Sequence, residues 1–167
     1  MKVLAALDLD RTTPDVLREA RLWTRRLGAE LFLIHVADPD PDFIGYGAGP
    51  ESVRLAVAHK FTRAHQRIEA LATDLRKEGF VATTALLIQG ATAETILREA
   101  DRLGADVILM GTRARGPLRS LLLGSVSSRI SRHSSRSVLP GAPPGAPQTP
   151  RARGPPGFRR VRRRAKT

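Results

Sequence analysis

The sequence predicts an α/β fold with a parallel sheet covered by helices on both faces. Three observations predict it. Short apolar runs alternate with longer segments of helical periodicity along residues 2–139. The runs are too apolar for strands with one wet face, which is the mark of parallel strands buried on both sides. Glycine or a proline–threonine pair punctuates most of the element ends.

Lys2 to Asp8 is the first run, ending in an acid. Thr12-Thr13-Pro14 reads as a helix start, with Thr13 as N-cap and Pro14 at the first helical position. Val16, Ala20, Trp23 and Leu27 follow at helical spacing, and Gly28 stops the helix. Glu30 to Val36 is the second strand. The Asp-, Pro- and Gly-rich stretch 37–50 is a loop.

A long helix is expected from Glu51 to Glu78, because Val53, Val57, Phe61, Ala64, Ile68, Leu71 and Leu75 form one stripe. Val81 to Ile88 is the third strand. Thr92 to Leu103 is a helix with Ala93, Ile96, Leu97, Ala100 and Leu103 on one face. Asp106 to Met110 is the fourth strand, Ser125 to about His133 a short helix, and Ser137 to Leu139 a fifth strand cut off by Pro140. Strand–helix–strand units cross over right-handedly, so the sheet is parallel, and ligands in such sheets lie at the C-terminal strand ends where strand order reverses. Asp8, Val36 and Gly111 all stand at such ends.

Composition narrows the function classes. The 167 residues are 41% hydrophobic but only 4% aromatic, so the core is built from Leu, Val, Ile and Ala. No stretch reaches the roughly 20 apolar residues of a membrane span. The apolar N-terminal run stops at Asp8, shorter than an export signal. With no cysteine there are no disulfides or thiolate sites, which fits a cytoplasmic location.

The net charge is +12, yet residues 140–167 hold eight basic side chains and no acid. The basicity therefore belongs mostly to the tail and does not mark the folded part as a nucleic-acid binder. The domain expectation is a folded unit over 1–139 and a disordered Pro/Gly/Arg-rich tail over 140–167. The tail suits non-specific contact with nucleic acid or another anionic surface. Equally, its abrupt start and Pro, Gly, Arg and Ala runs are what a shifted reading frame in GC-rich DNA yields.

The chemistry concentrates after the fourth strand. Met110-Gly111-Thr112-Arg113-Ala114-Arg115-Gly116 leads to Gly124-Ser125-Val126-Ser127. Glycine at a strand end lets a ligand approach the backbone, and serine at a helix start adds a hydroxyl to free N–H groups. Together they suit an anion, most often phosphate; the plainer alternative is a tight turn and an ordinary N-cap. Arg113, Arg115 and Arg119 add positive charge. Asp8 reads either as an acceptor for a sugar hydroxyl or as a turn acid capping the next loop. No Gly-Lys-Ser/Thr occurs, so this is not a Walker loop. His35, His59, His65 and His133 have no metal-ligand spacing. No nucleophile–base pair stands out, so no enzyme is expected.

The order of these motifs resembles the universal stress protein family over about residues 2–139. The matching pieces are Ala6-Leu7-Asp8, His35-Val36, Gly90 to Ile96, and Met110 through Ser127. ATP-binding members show G-x2-G-x9-G-S/T in the last region. Gly111, Ala114, Gly124 and Ser125 occupy those places, with Ala114 replacing the second glycine.

The resemblance implies a Rossmann-like three-layer sandwich of five parallel strands and four helices, here with a truncated fifth strand. It implies an adenine nucleotide as ligand, ATP with or without Mg2+, in a sensor or regulator of the stress response. Ala6, Asp8 and Val36 would line the adenosine side, with Asp8 near the ribose and Val36 near the base. Met110, Gly111, Ala114, Gly124, Ser125, Val126 and Ser127 would surround the phosphates. Family dimers commonly join along the fifth strand. Ser137-Val138-Leu139-Pro140 departs from the usual Pro-Val-Leu-Val-Val there, so the expectation is a monomer or weak homodimer, beside an unknown protein partner. The alternative is a member without nucleotide that works as a protein-interaction module.

Overall fold

Each apolar run becomes a strand of one parallel sheet in the computed structural model, which describes residues 1–37, 51–111 and 124–140 and leaves the side chains of 51–54 undescribed. In chain order the elements are β1 (Lys2–Ala6), α1 (Thr13–Leu27), β2 (Glu30–Ala37), α2 (Glu51–Lys77), β3 (Thr83–Gln89), α3 (Thr92–Leu103), β4 (Val107–Met110), α4 (Ser125–His133) and β5 (Ser137–Pro140). The strand order is β3-β2-β1-β4-β5. Every pairing is parallel, with Ala6 opposite both Ile34 and Met110. The order reverses between β1 and β4, as expected for a ligand crevice in an open sheet.

Alternate residues of each strand face opposite layers. Val3, Ala5, Leu31, Leu33 and Leu109 pack with Val16 and Ala20 of α1 and Ile68, Ala72 and Leu75 of α2. Leu4, Ile34, Ile108 and Met110 pack with Ala93, Ile96 and Ala100 of α3 and Ile130 of α4. The sandwich thus has two apolar cores, and both press on β1 and β4. That rigid centre carries the strand ends from which the cleft is built.

Several expectations shift. Thr12, not Thr13, is the N-cap residue of α1, so Pro14 falls at the second helical position. The Thr13 hydroxyl instead donates to Asp8 Oδ1 (3.3 Å). The first strand ends at Ala6, and the third begins at Thr83 rather than Val81, which is exposed. The fifth strand is short as expected and includes Pro140, opposite Met110, as its last residue, one beyond Leu139. An edge position tolerates a residue without an N–H. The α2 stripe is only half covered: Ile68 and Leu75 are buried, while Phe61 is 38% exposed. Ala114, the three loop arginines, the 38–50 loop and the tail beyond Pro140 lie outside the described residues.

One surface pair has a readable pH signature. Arg21 Nε and Nη2 donate to the two oxygens of Glu78 (2.6 and 2.7 Å), joining α1 to the end of α2. These hydrogen bonds, with the guanidinium charge, hold the Glu78 carboxyl below its usual range. A lowered folded value stabilises above the ordinary carboxylate range, and the contribution fades as pH falls through the folded value. Arg21→Ala is expected to flatten the acid limb of a Tm-versus-pH curve slightly, with no change in slope between pH 6 and 8. An unchanged acid limb would remove this pair from the account.

Candidate functional site

The strand-order reversal opens a cleft of about 410 Å3 at the C-terminal ends of β1, β2 and β4. That volume is within the range of small-molecule sites, about 300–1,000 Å3. It is lined by Ala6, Leu7, Asp8 and Thr12 on the β1 side and by Ile34, His35 and Val36 from β2. Thr92 and Ile96 come from α3, Met110 and Gly111 from β4, and Gly124, Ser125, Val126, Ser127 and Ile130 from the start of α4. The fold therefore brings together every sequence-predicted site residue except Ala114, which is outside the described residues.

The β1 side is a tight turn organised by Asp8. Its Oδ1 accepts from the Asp10 N–H (3.0 Å) and the Thr13 hydroxyl, and its Oδ2 accepts from the Thr12 hydroxyl (2.9 Å). Inside the turn Leu9 has φ 55°, a left-handed conformation uncommon for a residue with a side chain. Asp8 therefore is a turn acid, one of the two sequence readings. It also borders the cleft, where the other reading places it.

Thr12 is one of the cleft residues that sequence reasoning did not name for the site, with Leu7, Ile34, His35, Thr92, Ile96 and Ile130. It lines the cleft, and it stands directly against Gly111 of the β4 end. A Cβ on Gly111 would lie 2.3 Å from Thr12 Oγ1 and 2.7 Å from Thr12 Cβ. Glycine is required here by this close approach and not by its φ, which is not positive. The only sequence signal was a threonine four residues after a strand-end aspartate.

The opposite side is the N-terminus of α4. Gly124 is the N-cap residue and, being glycine, has no side chain to cap the helix, and the first turn has no acid. The first intrahelical hydrogen bond runs from Ser128 N–H to the Gly124 carbonyl, so the preceding N–H groups stand ahead of the ladder. Their partial positive charge favours an anion. Ser127 is buried and its hydroxyl donates to the Gly111 carbonyl (3.4 Å), joining α4 to β4 across the loop. Among the described residues, a Cβ on Gly124 would meet nothing within 4 Å.

Between the two sides lie Ile34, Val36, Ile96, Met110 and Ile130, an apolar wall. His35 Nδ1 sits 2.8 Å from the Leu7 carbonyl, which only accepts, so Nδ1 carries the proton. Among the described residues no cluster of three His, Cys, Asp or Glu stands close enough to hold a metal ion. No described helix is long and apolar enough to cross a membrane.

Comparison with known proteins agrees with the fold. The sequence profile of the universal stress protein family matches residues 1–139. A universal stress protein from Thermus aquaticus is 38% identical over 104 residues, 62% of this chain and 70% of that one. Universal stress protein MJ0577 of Methanocaldococcus jannaschii is 25% identical across 83% of this chain and 92% of its own. The solved MJ0577 structure superposes with a TM-score of 0.69, covering 87% of this chain and 97% of that one. The universal stress protein of Archaeoglobus fulgidus, solved in complex with dAMP, superposes with a TM-score of 0.59 at 20% identity, covering 84% and 96%.

Proposed function

The chain belongs to the universal stress protein family, and on that premise we propose that it binds an adenine nucleotide, ATP foremost, and acts as a regulator of the stress response rather than an enzyme. The observation that carries the proposal is the split polarity of the cleft. Asp8 and Thr12 offer acceptors on one side, and the N–H groups at the glycine-capped start of α4 offer donors on the other. An apolar wall lies between them. A nucleotide carries a counterpart for each: sugar hydroxyls for the acceptors, phosphates for the donors and a flat base for the apolar wall. The dAMP complex of the Archaeoglobus fulgidus protein supports the choice of adenine.

In this reading Ala6 and Val36 lie against the base and Asp8 against the ribose. Gly111, Gly124, Ser125, Val126 and Ser127 take the phosphates, with Met110 beneath them and Ala114 in the loop between. Mg2+ accompanies the triphosphate, held by the phosphates rather than by a protein cluster. Of the basic groups lining the described cleft, Asp8 is engaged by the turn and His35 Nδ1 by the Leu7 carbonyl, and turnover is no part of the proposal. A cytoplasmic site of action is part of it.

A second reading has a specific observation behind it. Asp8 already accepts three hydrogen bonds, and Ala114 replaces a glycine of the ATP-binding pattern. A member that binds no nucleotide and acts through a protein partner fits both facts. Thermal unfolding with added nucleotide separates the two. ATP at a hundred times its Kd stabilises by about 2.7 kcal/mol, whereas the second reading predicts no shift with ATP, ADP or AMP.

We also propose that residues 1–139 hold the nucleotide site without the tail and that any homodimer is weak. β5 offers four edge residues, the last being Pro140, against the roughly 1,200–2,000 Å2 that stable interfaces bury. Sedimentation at micromolar concentration is expected to show mostly monomer, for the full chain and for a chain ending at Gly141. A single tight dimer in both would refute the argument from the short edge.

A further inference from the structure

We infer that Thr12 selects for ribose: its hydroxyl oxygen, fixed as an acceptor by Asp8, takes a hydrogen bond from a sugar hydroxyl of the bound nucleotide. This rests on the nucleotide reading above and adds a specificity-determining residue that the sequence motifs pass over. The Thr12 hydroxyl donates its one proton to Asp8 Oδ2 at 2.9 Å. A carboxylate only accepts, so the proton is engaged and the oxygen lone pairs remain. Thr12 is half-buried and borders the cleft. It stands where the β1 turn meets Gly111, at the strand-order reversal itself.

Asp8 alone cannot do this work. Its two oxygens accept from Asp10 N–H, Thr12 and Thr13, and a carboxylate has about four acceptor sites. One is left. A ribose presents two neighbouring hydroxyls, each a donor, so a second acceptor must stand beside Asp8. Thr12 Oγ1 is bonded to Asp8 and therefore adjacent to it. The same oxygen pair would also suit a divalent cation, and the test separates the two.

The test is the affinity of wild type, Thr12→Val and Thr12→Ser for ATP and for 2′,3′-dideoxy-ATP, each with Mg2+ and with a chelator. Wild type is expected to prefer ATP. Thr12→Val should narrow that preference by roughly three- to tenfold, the scale of one hydrogen bond, and Thr12→Ser should restore it, with or without Mg2+. Equal weakening of both nucleotides would make Thr12 a structural prop for Asp8 and overturn the inference. So would an unchanged preference, or an effect that vanishes in chelator, which would assign the oxygens to a cation. If Thr12→Val does not fold, Thr12→Ala reads the same ratio, since it adds nothing against Gly111. Absence of any nucleotide binding by wild type would instead defeat the nucleotide reading, and this inference with it.

Discussion

Gly111→Val is expected to weaken ATP binding by more than about tenfold while the sheet still folds. The first atom added already lies 2.3 Å from Thr12 Oγ1 and 2.7 Å from Thr12 Cβ. Thr12 cannot retreat freely, because α1 begins at the next residue and Val16 and Ala20 of that helix are fully buried. The Thr12 hydroxyl is also tied to Asp8. The β4 end must therefore move outward, into the cleft, carrying the Gly111 carbonyl that Ser127 holds. Overpacking of this kind costs about 1–3 kcal/mol of stability. The binding loss should exceed about tenfold, equivalent to 1.4 kcal/mol, since both sides of the site are displaced. Labelled-ATP titration beside thermal unfolding measures both effects. Wild-type affinity in this variant would remove Gly111 from the site.

Asp8→Ala is the second large effect, and it should act on stability and binding together. The substitution removes the acceptor for Asp10 N–H and for the Thr12 and Thr13 hydroxyls. Thr13 is buried, so its hydroxyl loses a partner that water does not readily replace, at about 1–3 kcal/mol. The turn also holds Leu9 at φ 55°, a conformation costing roughly 1–2 kcal/mol for a residue with a Cβ. Without the Asp8 bonds little maintains it. For a chain of this size each kcal/mol lowers Tm by about 2–4 °C. Asp8→Asn keeps one carbonyl acceptor and should lose less on both counts. A variant Asp8→Ala with wild-type Tm would show that the turn is held by something else.

What was legible in the sequence follows from how local each signal is. Buried parallel strands are continuous apolar runs, so Leu31 to Ile34 and Val107 to Met110 declared themselves. The crossover rule implied a parallel sheet with a ligand site where strand order reverses, but not that the reversal falls between β1 and β4. The gathering of Asp8, Val36 and Gly111 around one cleft followed from their shared place at strand ends.

Other features depend on distances that no local pattern carries. The α2 stripe repeats evenly from Val57 to Leu75, but a helix of 27 residues is about 40 Å long. The seven residues of β3 span only about 23 Å. The sheet covers one half, and periodicity does not say which. Thr12 and Thr13 are the same residue type side by side and both hydroxyls donate to Asp8; the Thr12 carbonyl, accepting from the Val16 N–H, is what makes Thr12 the N-cap. The contact between Thr12 and Gly111 joins positions far apart in the chain, so glycine at 111 read as a loop residue rather than as space kept clear for Thr12.

The central claim is that this cleft holds ATP, and equilibrium binding of labelled ATP to the purified chain tests it most directly. Saturable binding is expected, competed by unlabelled ATP and weakened more than about tenfold in Gly111→Val. No saturable binding at millimolar ATP, in protein whose thermal unfolding shows it folded, would contradict the account and favour the protein-interaction reading.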